Sequence, residues 1–292
     1  MAGKHRSPDT RKITRRQLLA AAAMAPVAAV ASTAILRDQS TPQIIEEAAA
    51  SGTEQSTVPV TSPSSAVPAI DQFRGRIPKG WGMDLPGIVR TVPTVSGRRT
   101  LALTFDACGG GSGVAIDQTL ISVLREFAVP ATLFLNSRWI AANPKYTREL
   151  LNDPLFSIQN HGTDHRPLST NGRSAYGIDG TASVDAALYE VTGNQDKMRA
   201  EYAHEMTWFR SGTAHYDDVC VDLCNAYGVR IAGFTTNIDF GATAPAGKVT
   251  SQLLGAPDGA ICIGHMNHPG SGTAAGLRAA LQQLRDVNFA KL

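Results

Sequence analysis

The sequence predicts an α/β fold, a layer or barrel of parallel strands. Between Trp81 and Leu292, short apolar runs recur, and amphipathic helical stripes fill the spaces between them. A third observation agrees with these two. The polar residues able to do chemistry fall just after the apolar runs, and α/β folds gather their sites at the carboxyl ends of the strands.

The strand candidates, in chain order, are Leu101–Phe105, Ala131–Leu135, Phe156–Gln159, Val229–Phe234 and Ala260–Gly264. Ile116, Leu120, Leu124 and Phe127 share one helical face, Val219, Leu223, Ala226 and Tyr227 a second, and Leu277, Leu281 and Leu284 a third. Strands alternating with helices of this length are joined by crossovers and therefore run parallel. The segment from Thr170 to Tyr202 reads as turn-rich through Gly180 and helical afterwards.

Domain organisation follows from composition. The chain has 292 residues and a formal net charge of +2, but residues 1–37 hold seven basic side chains against one acid, Asp9. The remainder is therefore acidic, at about −4, which offers no broad cationic surface to a polyanion; nucleic acid is not expected as a partner. Thr14-Arg15-Arg16-Gln17-Leu18-Leu19 precedes an alanine-rich apolar stretch, Ala20 to Ala34, and residues 1–37 resemble a twin-arginine export signal. That stretch is short and poor in Leu and Ile for a spanning helix, so no stable membrane span is expected beyond the signal. Residues 38–80 read as a Ser/Thr/Pro/Ala spacer, which cannot bury enough apolar area to offset its ordering entropy. Residues 81–292 form the expected folded domain, and export places it outside the cell or at the cell wall.

Three polar clusters stand at strand ends. Asp106 closes the run Leu101–Phe105 and is followed by Gly109, Gly110, Gly111 and Gly113. No Lys-Ser or Lys-Thr follows the glycines, which disfavours a phosphate loop; an acidic helix cap, or close approach of substrate to Asp106, fits better. His161 and His165 follow the third run, and Gly162 with Pro167 places them on a loop instead of a helix. His265 follows Ala260–Gly264. Imidazole binds zinc-like ions when neutral and acts as an acid when protonated, so an acid facing two histidines suits a metal-assisted hydrolytic site.

These residues carry a resemblance. Thr104-Phe105-Asp106, Asn160-His161-Gly-Thr-Asp-His165-Arg-Pro-Leu168, Trp208-Phe209-Arg210, Asn237-Ile-Asp239 and Ala260-Ile-Cys-Ile-Gly-His265 stand in the order of the polysaccharide deacetylase motifs. From about Arg99 onward the chain resembles that family, also called carbohydrate esterase family four. The resemblance implies a distorted (β/α) barrel with mostly parallel strands. It also implies a hydrolase that removes acetyl groups, usually N-linked, from a cell-wall or extracellular polysaccharide with the help of a divalent metal, often zinc. Carried over, His161 and His165 are metal ligands, Asp106 is the general base, His265 the general acid, Arg210 orients Asp106, and Asp239 tunes His265.

The chain departs from the pattern where the family's second aspartate should stand, at Ala107. Asp106, Cys108 and Asp164 are the candidate third ligands; water in the site, weak metal binding or lost catalysis are the other readings. The alternative function is a non-catalytic glycan-binding relative without metal. Four cysteines in an exported chain also raise disulfides: a Cys108–Cys262 bridge, which would exclude thiolate ligation, and a Cys220–Cys224 pair one helical turn apart, for which two unbridged, semi-buried side chains beside the apolar stripe fit slightly better. Peptidoglycan, chitin-like oligomers and acetylated xylan all remain open as substrates.

Overall fold

The computed structural model describes residues 69–292. The export signal read in residues 1–37 lies outside the described residues, as does the spacer as far as residue 68. The elements in order are β1 (Trp81–Gly82), β2 (Ile88–Val89), β3 (Arg99–Ala107), α1 (Gln118–Glu126), β4 (Ala131–Leu135), α2 (Ser137–Ala142), α3 (Pro144–Leu151), β5 (Phe156–Asn160) and α4 (Val184–Tyr202). There follow β6 (Trp208–Phe209), β7 (Tyr216–Asp217), α5 (Asp218–Ala226), β8 (Arg230–Ala232), β9 (Thr236–Asn237), α6 (Ala246–Leu254), β10 (Ala260–His265), α7 (Gly272–Gln283) and β11 (Val287–Phe289). Ahead of β1, Phe73 is buried in the apolar cluster around α5.

Nine strands form one sheet in the order β2-β8-β6-β5-β4-β3-β10-β9, with β11 pairing the start of β3. Every strand pairing within this sheet is parallel. The sheet curls, and the stretch after β2 carries the chain from one edge to the foot of β10, where Val92 N donates to Gly259 O at 2.8 Å. This curled parallel sheet with flanking helices is the distorted barrel expected from the sequence. β1 and β7 form a separate antiparallel ribbon. Among the described residues, no helix is long and apolar enough to cross a membrane.

The helices start where side chains can accept the orphan amides of a first turn. Asp117 Oδ1 accepts from Leu120 N at 3.0 Å ahead of α1, and Asn136 Oδ1 from Arg138 N at 3.0 Å ahead of α2. Ser183, Asp217 and Ser271 cap α4, α5 and α7 in the same way.

The pleat of β3 matters most for function. Leu101, Leu103, Phe105 and Ala107 share one face and join the apolar cluster with Leu120, Leu124, Trp139 and Leu277. The intervening residues, Ala102, Thr104 and Asp106, therefore face the barrel interior. Ala107 has 0% exposure. The predicted strand Leu101–Phe105 extends at its start because β11, which the sequence did not announce, pairs with residues 99–101. The predicted strand Val229–Phe234 shrinks to Arg230–Ala232, and beyond it Gly233 N turns to Val89 O.

All four cysteines are free thiols. Cys262 sits in register with Leu103 and packs in the apolar cluster. Cys108 lies five residues further along β3, roughly 16 Å at the usual rise per residue, so a Cys108–Cys262 bridge cannot form. Cys220 and Cys224 are buried beside the α5 stripe without bonding each other.

Candidate active site

Three parallel strands deliver the central groups. β3 and β10 are direct neighbours, and their register sets Asp106 against His265. β5 ends at Asn160, and the chain turns through His161 and Gly162 (φ 81°) to His165, whose own φ is 62°. The turn is anchored from beneath. Asn136 Nδ2 donates to His161 O and Gly162 O at 3.0 and 2.8 Å, while Asn160 Oδ1 accepts from Gly162 N at 2.9 Å.

Asp106 is buried and never without a cation. Arg210 Nη1 donates to Asp106 Oδ1 at 2.7 Å and to Thr104 Oγ1 at 2.9 Å, while its Nε and Nη2 reach Ala232 O and Gly233 O, both at 3.1 Å. The guanidinium is fully buried and lies 4.3 Å from the centroid of the Phe134 ring. Burial pushes the Asp106 pKa up, but the Arg210 guanidinium, helped by the neighbouring imidazoles, outweighs it and holds the carboxyl below its ordinary value.

His265 has a matching partner. Its Nδ1 lies 2.9 Å from Asp239 Oδ1, its backbone N–H donates to Asp239 Oδ2 at 2.7 Å, and Thr273 Oγ1 donates to the same oxygen at 2.9 Å. Asp239 is fully buried, whereas the His265 ring keeps 15% exposure. Burial pushes the imidazole's pKa down, yet the hydrogen bond to Asp239 and the neighbouring Cys108 raise it well above the ordinary value.

A third group gathers beside Asp106. Cys108, His161 and His165 each offer one donor atom, and these atoms lie within 4.8 Å of one another. His161 Nδ1 lies 2.9 Å from Arg210 O. A carbonyl only accepts, so Nδ1 carries the proton and Nε2 presents a lone pair, 3.7 Å from Cys108 Sγ and 3.6 Å from Asp106 Oδ2. His165 Nε2 is buried with no hydrogen-bond partner. An orphaned imidazole nitrogen, a lone pair with its tautomer set by a carbonyl, and a sulfur form a donor set that fits a zinc-like ion. Burial pushes the Cys108 thiol up, but the neighbouring imidazoles, His161 first, bring its pKa well below the ordinary thiol value. Asp164 is exposed, and Asp106 stands outside this group of three.

The site opens into a cleft of about 380 Å³ lined by Asp106, His265, Asn237, Ile263, Phe240 and Tyr176 among others. At its rim Tyr176 and Trp81 both pack on His215, with ring centroids 5.2 and 5.7 Å apart, and Arg173 lies 5.0 Å over Trp81. Trp139 and Trp208 are core residues: Trp139 Nε1 donates to Ala115 O at 2.9 Å, and Trp208 lies under Arg230. His204 is structural, its Nε2 bonded to Ile158 O at 2.9 Å.

Glu190 of α4 is a site-shaping residue that the sequence reading missed. Its two carboxylate oxygens accept from Asp164 N at 2.9 Å and Arg166 N at 3.1 Å, on either side of His165. A Cβ on Gly162 would fall 2.3 Å from Glu190 Oε1, so the turn needs glycine there for space as well as for its φ. Burial raises the Glu190 pKa to about 7 against the pull of those two amides. A glutamate and an asparagine, Asn194, within the buried stripe of α4 are the signal that could have exposed this role.

A curled parallel sheet whose mouth pairs a carboxylate with a guanidinium and an imidazole with a second carboxylate defines a barrel domain with a polar cleft at its strand ends. The model for polysaccharide deacetylase matches residues 94–232, somewhat under half of the chain, and that segment carries the family's domain in divergent form. Asp239 and His265 lie beyond the matched segment. No curated protein matches the chain in sequence.

Among solved structures, a carbohydrate esterase family four pseudoenzyme from Bacillus anthracis is similar at 18% identity and a TM-score of 0.56, over 70% of this chain and 68% of that one. The peptidoglycan deacetylase PdaC from Bacillus subtilis is similar at 18% identity and a TM-score of 0.54, over 67% and 89%. Bacillus subtilis PdaA, a family four carbohydrate esterase, aligns at 15% identity and a TM-score of 0.56, over 70% and 82%. These likenesses are of fold.

Proposed function

We propose that the protein is a metal-dependent deacetylase that hydrolyses an acetyl group, N-linked by preference, on a cell-wall or extracellular polysaccharide, and that the twin-arginine-like segment exports it. The observation that carries this reading is the register pairing of Asp106 with His265, each backed by its own buried counter-charge. A glycan-binding module has no use for a held carboxylate and a held imidazolium on adjacent strands.

His161 and His165 would hold the ion, and a divalent cation there would polarise the acetyl oxygen and acidify water. Asp106, kept ionised by Arg210, takes the proton of the attacking water as its oxygen bonds to the acetyl carbon. His265 gives a proton to the amine nitrogen as the carbon–nitrogen bond breaks, so acetate and a free amine leave. Asp239 holds the imidazole by Nδ1 and stabilises its charged form, and Thr273 fixes Asp239 in turn. The aromatic rim at Trp81 and Tyr176 suits the faces of sugar rings, and Tyr176 is 77% exposed.

Acetate release from an N-acetylglucosamine oligomer, with and without zinc or cobalt, tests the reading. Metal-dependent release is expected. If no metal supports release and Asp106→Asn binds the sugar as well as the unaltered protein, the chain is a non-catalytic glycan binder.

A further inference from the structure

We propose that Cys108 is the third protein ligand of the metal site, so that a thiolate joins the two imidazoles. This rests on the metal-dependent reading above only in supposing that an ion binds.

The pleat of β3 excludes position 107. Leu101, Leu103, Phe105 and Ala107 lie on the helix-facing side, and Ala107 is sealed in the apolar cluster. A ligand must therefore come from the interior parity, which holds Asp106 and, one step past the strand, Cys108. Asp106 is committed to Arg210. Cys108 stands with His161 and His165, the three donor atoms lying within 4.8 Å of one another.

The two histidines are prepared for a third partner. His161 is held by Arg210 O so that Nε2 faces Cys108, and His165 Nε2 is buried without any bond, at a cost that an ion would remove. The thiol is fixed as well. Gly109, Gly110 and Gly111 follow it with φ of 68°, 77° and 50°, and a Cβ on Gly109 would strike Trp139 N at 2.6 Å, so the loop turns back tightly against α2. Cys108 is unbridged. Two imidazoles and a thiolate select zinc or cobalt over the hard cations magnesium and calcium.

Cobalt(II) titration of the reduced, metal-free protein tests the assignment by absorbance, independently of turnover. The expected result is one cobalt per chain with a near-ultraviolet thiolate-to-cobalt charge-transfer band. Cys108→Ser should abolish the band and weaken binding at least tenfold, and Cys108→Asp should recover affinity without the band. The unaltered protein provides a second measurement: among the described cysteines only Cys108 is partly exposed, and zinc should protect it from iodoacetamide. Cobalt bound without the band, no cobalt bound, or alkylation indifferent to zinc would each overturn the proposal. A charge-transfer band without acetate release would instead sink the deacetylase reading and leave the ligand assignment standing.

Discussion

Asp106 and His265 are register partners on adjacent parallel strands, and each is locked to a fully buried group of opposite charge, Arg210 in one case and Asp239 in the other. Two ionisable groups pushed in opposite directions by their surroundings are what a base and an acid working together require. The carboxyl is held below its ordinary pKa and the imidazole well above its own.

Removing either group should therefore cost catalysis more than binding. Asp106→Asn and His265→Ala are each expected to lower kcat for acetate release by roughly 10²- to 10⁴-fold, with oligosaccharide affinity changed far less. Loss of affinity in parallel with rate would point to a binding role instead.

The pH profile follows from the same pair. The proposed mechanism needs Asp106 ionised and His265 protonated, so the acid limb should lie below the ordinary aspartate value and the alkaline limb well above the usual histidine value. Asp239→Asn removes the charge that favours imidazolium. Its alkaline limb should move to lower pH while the acid limb stays in place, as read from kcat/KM against pH.

Arg210 should matter to stability as much as to rate. Arg210→Met leaves the buried Asp106 charge unpaired, at an expected loss of about 3–5 kcal/mol by urea unfolding. In the unaltered protein the folded Asp106 pKa is depressed, so its contribution is present above the unfolded value and fades as pH falls through the folded one. In Arg210→Met burial is no longer opposed by the guanidinium, the folded Asp106 pKa rises, and the variant's stability deficit should shrink as pH falls.

Restoring the family's aspartate should fail. Ala107→Asp drives a carboxyl into the apolar cluster around Trp139 and Leu124, so we expect a destabilisation of at least ~2 kcal/mol and no gain in zinc affinity. Tighter zinc binding measured by competition with a chelator would refute the outward orientation of position 107.

Glu190→Gln tests the support of the metal loop. An amide has one accepting oxygen where the carboxylate has two, so either Asp164 N or Arg166 N would face an N–H group. The expected loss is about 1–3 kcal/mol in thermal stability, with weaker zinc binding and an unchanged Asp106–Arg210 pair.

Much of this arrangement could be read before any coordinates. Ala131–Leu135 is an apolar run broken only by the β-branched Thr132 and bounded by Pro130 and Asn136, and β4 has those bounds. Asp106, His161 and His265 were legible because strand ends are where a parallel sheet leaves side chains unpaired. The two-residue strands β2, β6 and β9 were not, since so short a ladder has no periodicity and exists through its neighbours. Glu190 was hidden because a glutamate on a helix reads as solvated, and only the packing of α4 under the histidine turn buries it. The rim of Trp81, Arg173, Tyr176 and His215 joins distant segments whose proximity no local pattern encodes.

The loop from Thr170 to Gly180, which carries Arg173 and Tyr176, contributes nothing to the spacing of Asp106 and His265, which the ladder between β3 and β10 sets. If the proposed deacetylase reading holds, exchanging that loop should change which sugar the rim accepts, in the way a tool head is changed on a fixed spindle, without retuning proton transfer.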